Sequence, residues 1–291
     1  MDYMVRGMAR QGHVRVFANV STEICREAER IHGTSPNVTA ALGRLLTGAA
    51  MMGLMQKDDK AVLSLVVRSD GPIGGLTVSA DSHGNVKGFP NNAKVPFVEK
   101  YPGKLDVGKS VGRGTLIVVK DDGITDKPYS SQTPLVDGEI ADDLTYYFAE
   151  SEQIPSAVGL GVLVDKDASV KAAGGFIIQM MPDADDSDIE AVEKRVKKIK
   201  SVTDHFKDGK TPEQLLEYIF EEEDGLSILE KSEIRFHCNC NRDRVSKALI
   251  SIGKKDLIDL AKEGKPVELK CEYCRKSYKF TPEELKAFAE K

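Results

Sequence analysis

Apolar and polar positions along this chain repeat first with the period of strands, then of helices, then of strands again. His13–Asn19, HVRVFAN, alternates every second residue and predicts a strand. Ile24, Cys25, Ala28 and Ile31 then share one helical face, with Ser21 placed to cap the start and Gly33 to end it. Ser35-Pro36 opens a longer helix running to about Gln56, with Pro36 at its first position. Its Ala, Gly and Met side chains allow close approach and fill irregular gaps, so it reads as a core helix laid on a sheet. Strand-like runs follow: AVLSLVV, GGLTVSA, GNVKGF, GTLIVVK, AVGLGVLV and VKAAGGFIIQM. Polar turns at Asp81–Asn85 and Asp165–Ser169 predict two related hairpins in one mainly antiparallel sheet. Between them ADDLTYYFAESEQIPS reads as a helix stopped before Pro155. The mixture is too irregular for a doubly wound sheet, and the expected class is α+β.

The pattern changes after Pro182. Asp183–Lys231 carries 15 acidic and 8 basic residues, well above the charged share of ordinary domains. Helix signals persist inside it. Ser187 and Glu190 form the pattern of a capping box, followed by Ile189, Val192, Val196 and Ile199 at helical spacing. Thr211-Pro212-Glu213-Gln214 is a second such box. A stripe this narrow cannot make a core alone, so the segment is expected to be a linker of helices that needs a surface to dock on. Three parts result: an N-terminal α+β domain over 1–182, a charged helical linker over 183–232, and a small C-terminal domain over 233–291. The last part should hold helices near Arg242–Ile250 and Lys255–Lys262, a hairpin around Cys271–Cys274, and a final helix capped by Thr281 and Glu284.

Charge and composition narrow the function. The chain has 291 residues and a net charge of -5, which argues against a protein devoted to nucleic acid or an anionic membrane surface. The longest apolar stretch, Leu45 to Met55, is too short to cross a bilayer, and the first residues lack the apolar core of a signal peptide. A soluble, cytoplasmic protein is expected. No Walker loop, no G-x-S-x-G and no dinucleotide fingerprint is present, so no enzyme is indicated.

The cysteines carry the strongest chemical signal. Four of the five form a C-x-C pair, Cys238 and Cys240, and a C-x-x-C pair, Cys271 and Cys274, with thirty residues between the pairs. In a reducing compartment such pairs are metal ligands or redox centres rather than permanent disulfides. Two close thiol pairs joined by a fold predict one four-thiolate zinc site. His237 is adjacent, but four thiolates leave it no vacancy. Cys25 lies outside the pattern, on an apolar helix face. The 59 residues from Glu233 to Lys291 are too few to be stable on a small core, so the metal should be a condition of their folding. Spacing alone leaves open whether the site is a closed staple or a thiol switch. The tail's 14 basic against 10 acidic residues also leave a zinc-ribbon nucleic-acid module open.

FHCNCNRDRVSKAL and ELKCEYCRKSYKFTPEEL closely resemble the C-terminal zinc motif of the heat-shock protein 33 family, and the ESEQIPSAVGLGVLV stretch and the order of parts are similar too. The resemblance spans essentially the whole chain. It implies a bacterial, cytoplasmic, redox-regulated holdase that works without ATP. It implies a reduced, zinc-bound form that is inactive. Oxidation would form Cys238–Cys240 and Cys271–Cys274 disulfides, release zinc, unfold the tail and linker, and expose a surface for unfolding client proteins. A homodimer is implied for the active state.

Overall fold

The computed structural model describes residues 1–125 and 127–290. Contacts divide the chain into two compact units, Met1–His237 and Cys238–Lys291. Among the described residues no helix is long and apolar enough to cross a membrane.

The first unit begins with a hairpin of β1 (Tyr3–Ala9) and β2 (Val14–Val20), followed by α1 (Thr22–His32) and α2 (Pro36–Leu54). Next come β3 (Val62–Ser69), β4 (Gly75–Asp81), β5 (Asn85–Pro90), the small hairpin β6 (Glu99–Tyr101) and β7 (Lys104–Leu105), α3 (Val107–Val111), β8 (Gly114–Asp121) and β9 (Tyr129–Pro134). Helix α4 (Ala141–Glu150) precedes the long hairpin β10 (Ser156–Val164) and β11 (Val170–Met180). Helices α5 (Asp186–Val196), α6 (Val202–Lys207) and α7 (Pro212–Ile219) lead into β12 (Ser227–Glu233) and β13 (Arg235–Phe236).

The two related hairpins do not share one sheet. β10 and β11 belong to a five-stranded sheet ordered β10-β11-β2-β1-β12, and β4 and β5 to a six-stranded sheet ordered β13-β5-β4-β3-β8-β9. The physical reason lies in α2, which is buried on all its faces from Val38 to Gly53 apart from Arg44. A helix apolar all round must be covered on every side. It packs on β10 and β11 on one side and on β4 and β5 on another, with Leu42, Leu45, Leu46 and Met51 joining Phe17 and Ile177 to Leu63, Leu65 and Val78 in one core.

The five-stranded sheet is apolar on both faces. Phe17 and Ile177 belong to the α2 core, whereas Val14, Val16, Ala18, Phe176 and Ile178 belong to a second core. That second core is closed by the helices after Pro182: Val192, Val202, Phe206, Leu215, Leu216 and Ile219 are all buried there. Residues 183–232 therefore lie inside the first compact unit as the cover of a sheet face. The cover is helical only as far as α7. Beyond it, β12 pairs antiparallel with β1 and forms an exposed sheet edge. β13 then pairs parallel with β5. Gly84 (φ +78°) allows this return, since a Cβ there would stand 2.2 Å from the Glu233 carbonyl oxygen.

The cap of α5 also differs from the expected Ser187 and Glu190. Asp185 is the N-cap; its side chain accepts from the Asp188 N–H, and Asp188 accepts in return from the Asp185 N–H. Both are acidic acceptors at capping spacing, and the box closes two residues earlier because Asp188 is also drawn to Arg10 and His13.

The second unit holds α8 (Arg242–Ile250), α9 (Lys254–Lys262), the hairpin β14 (Val267–Lys270) and β15 (Ser277–Phe280), and α10 (Pro282–Ala289). Its buried apolar core is Leu249, Leu257, Ala261, Tyr278, Phe280, Leu285 and Ala289. Seven side chains, two of them alanine, are a thin core for a unit of this size.

Candidate metal centre

Two segments of the second unit meet at the cysteines. Cys271 and Cys274 sit in the turn of the β14–β15 hairpin. Its ends are tied by the Cys271 N–H to the Lys276 carbonyl (3.0 Å) and the Arg275 N–H to the Cys271 carbonyl (2.8 Å), with Arg275 in the left-handed region (φ +58°). Cys238 and Cys240 lie on the segment just before α8. Asn241 caps that helix by accepting from the Arg244 N–H, so the chain direction after Cys240 is fixed by the cap. Arg242 then joins this segment to α10 through Glu284 (2.6 Å), with its guanidinium 4.5 Å from the Phe280 ring centroid.

The four sulfurs all lie within 4.8 Å of one another, the one such group of His, Cys, Asp or Glu among the described residues. Cys238 and Cys271 are 3.7 Å apart, and Cys240 and Cys274 are 3.3 Å apart. A divalent metal such as zinc, at about 2.3 Å from each of four thiolates, sets its sulfurs about 3.8 Å from one another. The cluster has the ligand type, number and spread for such an ion. His237 is outside it, and its backbone N–H bonds the Val86 carbonyl in the first unit.

The electrostatics of the four thiols are uneven. Burial pushes Cys238 well above the ordinary thiol range and raises Cys274 as well. Burial also works to raise Cys240, but hydrogen bonding to the Tyr278 hydroxyl and the neighbouring thiols outweighs it and brings Cys240 down to about 7. Tyr278, held against Cys240, is itself pushed up to about 12 and keeps its proton. A bound divalent ion would lessen this imbalance, because one cation would favour the ionised form of all four sulfurs at once.

Cys25 lies in the first unit, packed with Val162, Val170 and Ala173; burial, with Asp2 nearby, pushes its thiol to about 12. It behaves as a small apolar side chain. His13 reaches Asp188 at 2.7 Å across 175 residues. This contact belongs to a charged network that sequence reading missed. Arg10 pairs with Asp188 (2.5 Å) and Asp224 (2.9 Å), and buried Arg195 pairs with Glu221 (2.6 Å), Glu223 (2.9 Å) and Asp224 (3.2 Å). The network ties α5 and the stretch after α7 to the β1–β2 turn.

A sequence model described as Hsp33 protein matches residues 2–281 of the chain. The chain belongs to the Hsp33 family. Two 33 kDa chaperonins, from Lachnoclostridium phytofermentans and Agathobacter rectalis, are each 52% identical over 285 residues, covering 98% of this chain and 97% and 98% of theirs. A crystal structure of the 33 kDa chaperonin, a heat shock protein 33 homolog, from Thermotoga maritima superposes with a TM-score of 0.89 at 38% identity, covering 99% of this chain and 97% of that one. A likeness of this extent covers both units, including the hairpin turn of Cys271 and Cys274. The mixed architecture expected for this family is therefore the one present.

Proposed function

We propose that this protein is a redox-regulated holdase chaperone, working without ATP, whose metal-bound reduced form is at rest. The observation that carries the reading is the pairing of two features in one chain. A four-thiolate cluster stands in a unit with a thin core, and an apolar sheet face is covered by charged, narrowly apolar helices. The curated relatives named 33 kDa chaperonin support the chaperone role.

In this reading the metal is zinc, held by Cys238, Cys240, Cys271 and Cys274, and it supplies the charge compensation that lets the four thiolates share one buried point. The thiolates react with peroxide as cysteine thiolates do elsewhere. One thiolate attacks a peroxide oxygen and breaks the O–O bond, giving a sulfenic acid and hydroxide. A second thiolate displaces the sulfenic hydroxyl and closes the disulfide, and two protons turn the hydroxides into water. Two close sulfur contacts, Cys238 to Cys271 and Cys240 to Cys274, cross between the two pairs. Once the ion has left and the unit loosens, the pairing that the family resemblance implies, Cys238–Cys240 and Cys271–Cys274, joins thiols that lie close in sequence and need not hold the two segments together.

The tail, 233–291 in functional terms, then loses the ion that its core cannot replace. The elements at the junction of linker and tail are weakly held: β13, at the start of the tail, is two residues long, and β12, at the end of the linker, is an exposed edge. Their loss opens the way to the linker, 183–232, whose helices lift from the five-stranded sheet of the N-terminal domain. The uncovered face, lined by Val14, Val16, Phe176 and Ile178, is a site for unfolding client proteins, and two such faces give the active form a reason to dimerise.

The test is a light-scattering assay of a denatured client at cytoplasmic pH. The reduced, zinc-loaded protein should leave aggregation unchanged, and the peroxide-treated, zinc-free protein should suppress it. Equal behaviour of the two forms contradicts the reading.

A further inference from the structure

The Tyr278 hydroxyl stands 3.2 Å from Sγ of Cys240. The side chain is 7% exposed, its ring set in the core of the second unit, and its strand β15 pairs it across from Leu269. The hairpin that carries Cys271 and Cys274 in its turn thus also carries a hydroxyl aimed at a sulfur of the other segment. An ionised or metal-bound cysteine has no proton to give, so the phenol is the donor.

A hydrogen bond to a thiolate draws electron density from the sulfur. It strengthens the hold on the proper ligand geometry and lowers the sulfur's nucleophilicity. We propose that Tyr278 is a positioning residue of the thiolate cluster, which fixes Cys240 and quiets its attack on peroxide, and so sets the oxidant level at which the cluster opens. This rests on the four-thiolate reading above. The step it governs is the attack of the Cys240 thiolate on a peroxide oxygen, which breaks the O–O bond and leaves a sulfenic acid and hydroxide.

Tyr278→Phe keeps the ring and removes the hydroxyl. The full-length chain is loaded with cobalt(II) as a spectroscopic substitute, and separately with zinc. In the variant the sulfur-to-cobalt charge-transfer band should move to longer wavelength, because the freed sulfur lone pair lies higher in energy. Metal affinity should fall about tenfold or more. Peroxide should release zinc faster, with Cys240 modified earlier in a time-resolved thiol-labelling map, while the thermal midpoint of the zinc form falls by no more than the lost metal affinity accounts for. An unchanged band together with an unchanged release rate overturns the proposal. So does a lowered thermal midpoint with band, rate and labelling order unaltered, which would make Tyr278 a packing residue only. A wild-type chain with no thiolate-to-cobalt band overturns the four-thiolate reading itself, and the role of Tyr278 with it.

Discussion

Phe206 of α6 lies against Gly174 of β11 so closely that a Cβ on Gly174 would stand 2.4 Å from a carbon of the ring. The bare glycine makes the seat, and Phe206, 6% exposed, fills it. Phe206→Ala should weaken docking of the cover by about 3 kcal/mol, at the low end for a buried phenylalanine because the surface-side helix can settle. The reduced, zinc-loaded variant should bind a hydrophobic dye and suppress client aggregation without oxidant. Dye binding at the wild-type level would show that α6 does not hold the cover down.

Val192 and Ile199 test the same cover differently. Val192 is buried inside α5, whereas Ile199 lies beyond its end and is partly buried. Val192→Gly loses about 0.4 kcal/mol of helix propensity and roughly 1.5–3 kcal/mol of side-chain burial. Ile199→Gly loses only packing. Resting activity, read by client light scattering, should therefore rise more in the first variant; the reverse order would misplace the contact that matters.

The charged network makes the cover sensitive to acid. Burial disfavours the charge on Asp188, but Arg10 and His13 outweigh it and hold the carboxyl below its usual range. Burial opposes the charge on Asp224 too, and the Glu221 N–H, Arg10 and Arg195 lower it. A carboxyl lowered in the folded state contributes stability that is complete above the ordinary pKa near 4 and is lost as pH falls through the lowered value. Asp188→Asn mimics protonation with the metal in place. At pH 7 its amides over 186–224 should exchange faster than wild type. Equal exchange would show that the pairs are incidental.

Asp2 carries the opposite dependence. Burial raises it to about 6, against hydrogen bonds from the Ile24 and Glu23 N–H groups that lower it. A carboxyl raised in this way stabilises fully below its unfolded value near 3.8, and that contribution is lost as pH rises through about 6. Asn keeps an acceptor for the Ile24 N–H, 2.8 Å away, without the charge. Asp2→Asn should gain on the order of 2 kcal/mol over wild type at pH 7 and little at pH 4, read from denaturant midpoints. A difference independent of pH would refute the assignment.

Local signals were legible in the sequence. The caps at Thr211 and Thr281, the helix begun by Pro36 and the cysteine spacing all depend on residues a few positions apart. Long-range partners were not. β12 meets β1 across more than 200 residues, and its polar, exposed face carries no strand pattern that identifies a mate. The second sheet was hinted at by α2, whose apolar residues leave no polar face, but reading it as a core helix did not say what covers its second side. The two-sided burial of β11 was likewise written in its near-continuous apolar run, whereas β2 reads as alternating, and only the fold shows that the second side of both belongs to the linker helices.

In the proposed switch, oxidation at the cysteines uncovers the five-stranded sheet by freeing α5, α6 and α7. Hydrogen exchange read by mass spectrometry measures it directly. In the reduced, zinc-loaded protein, peptides over 186–219 should be protected. After peroxide treatment and zinc loss they should exchange at unfolded-chain rates, while β3, β4 and β8 keep their protection. Peptides over 186–219 that stay protected in fully oxidised, zinc-free protein would contradict the account.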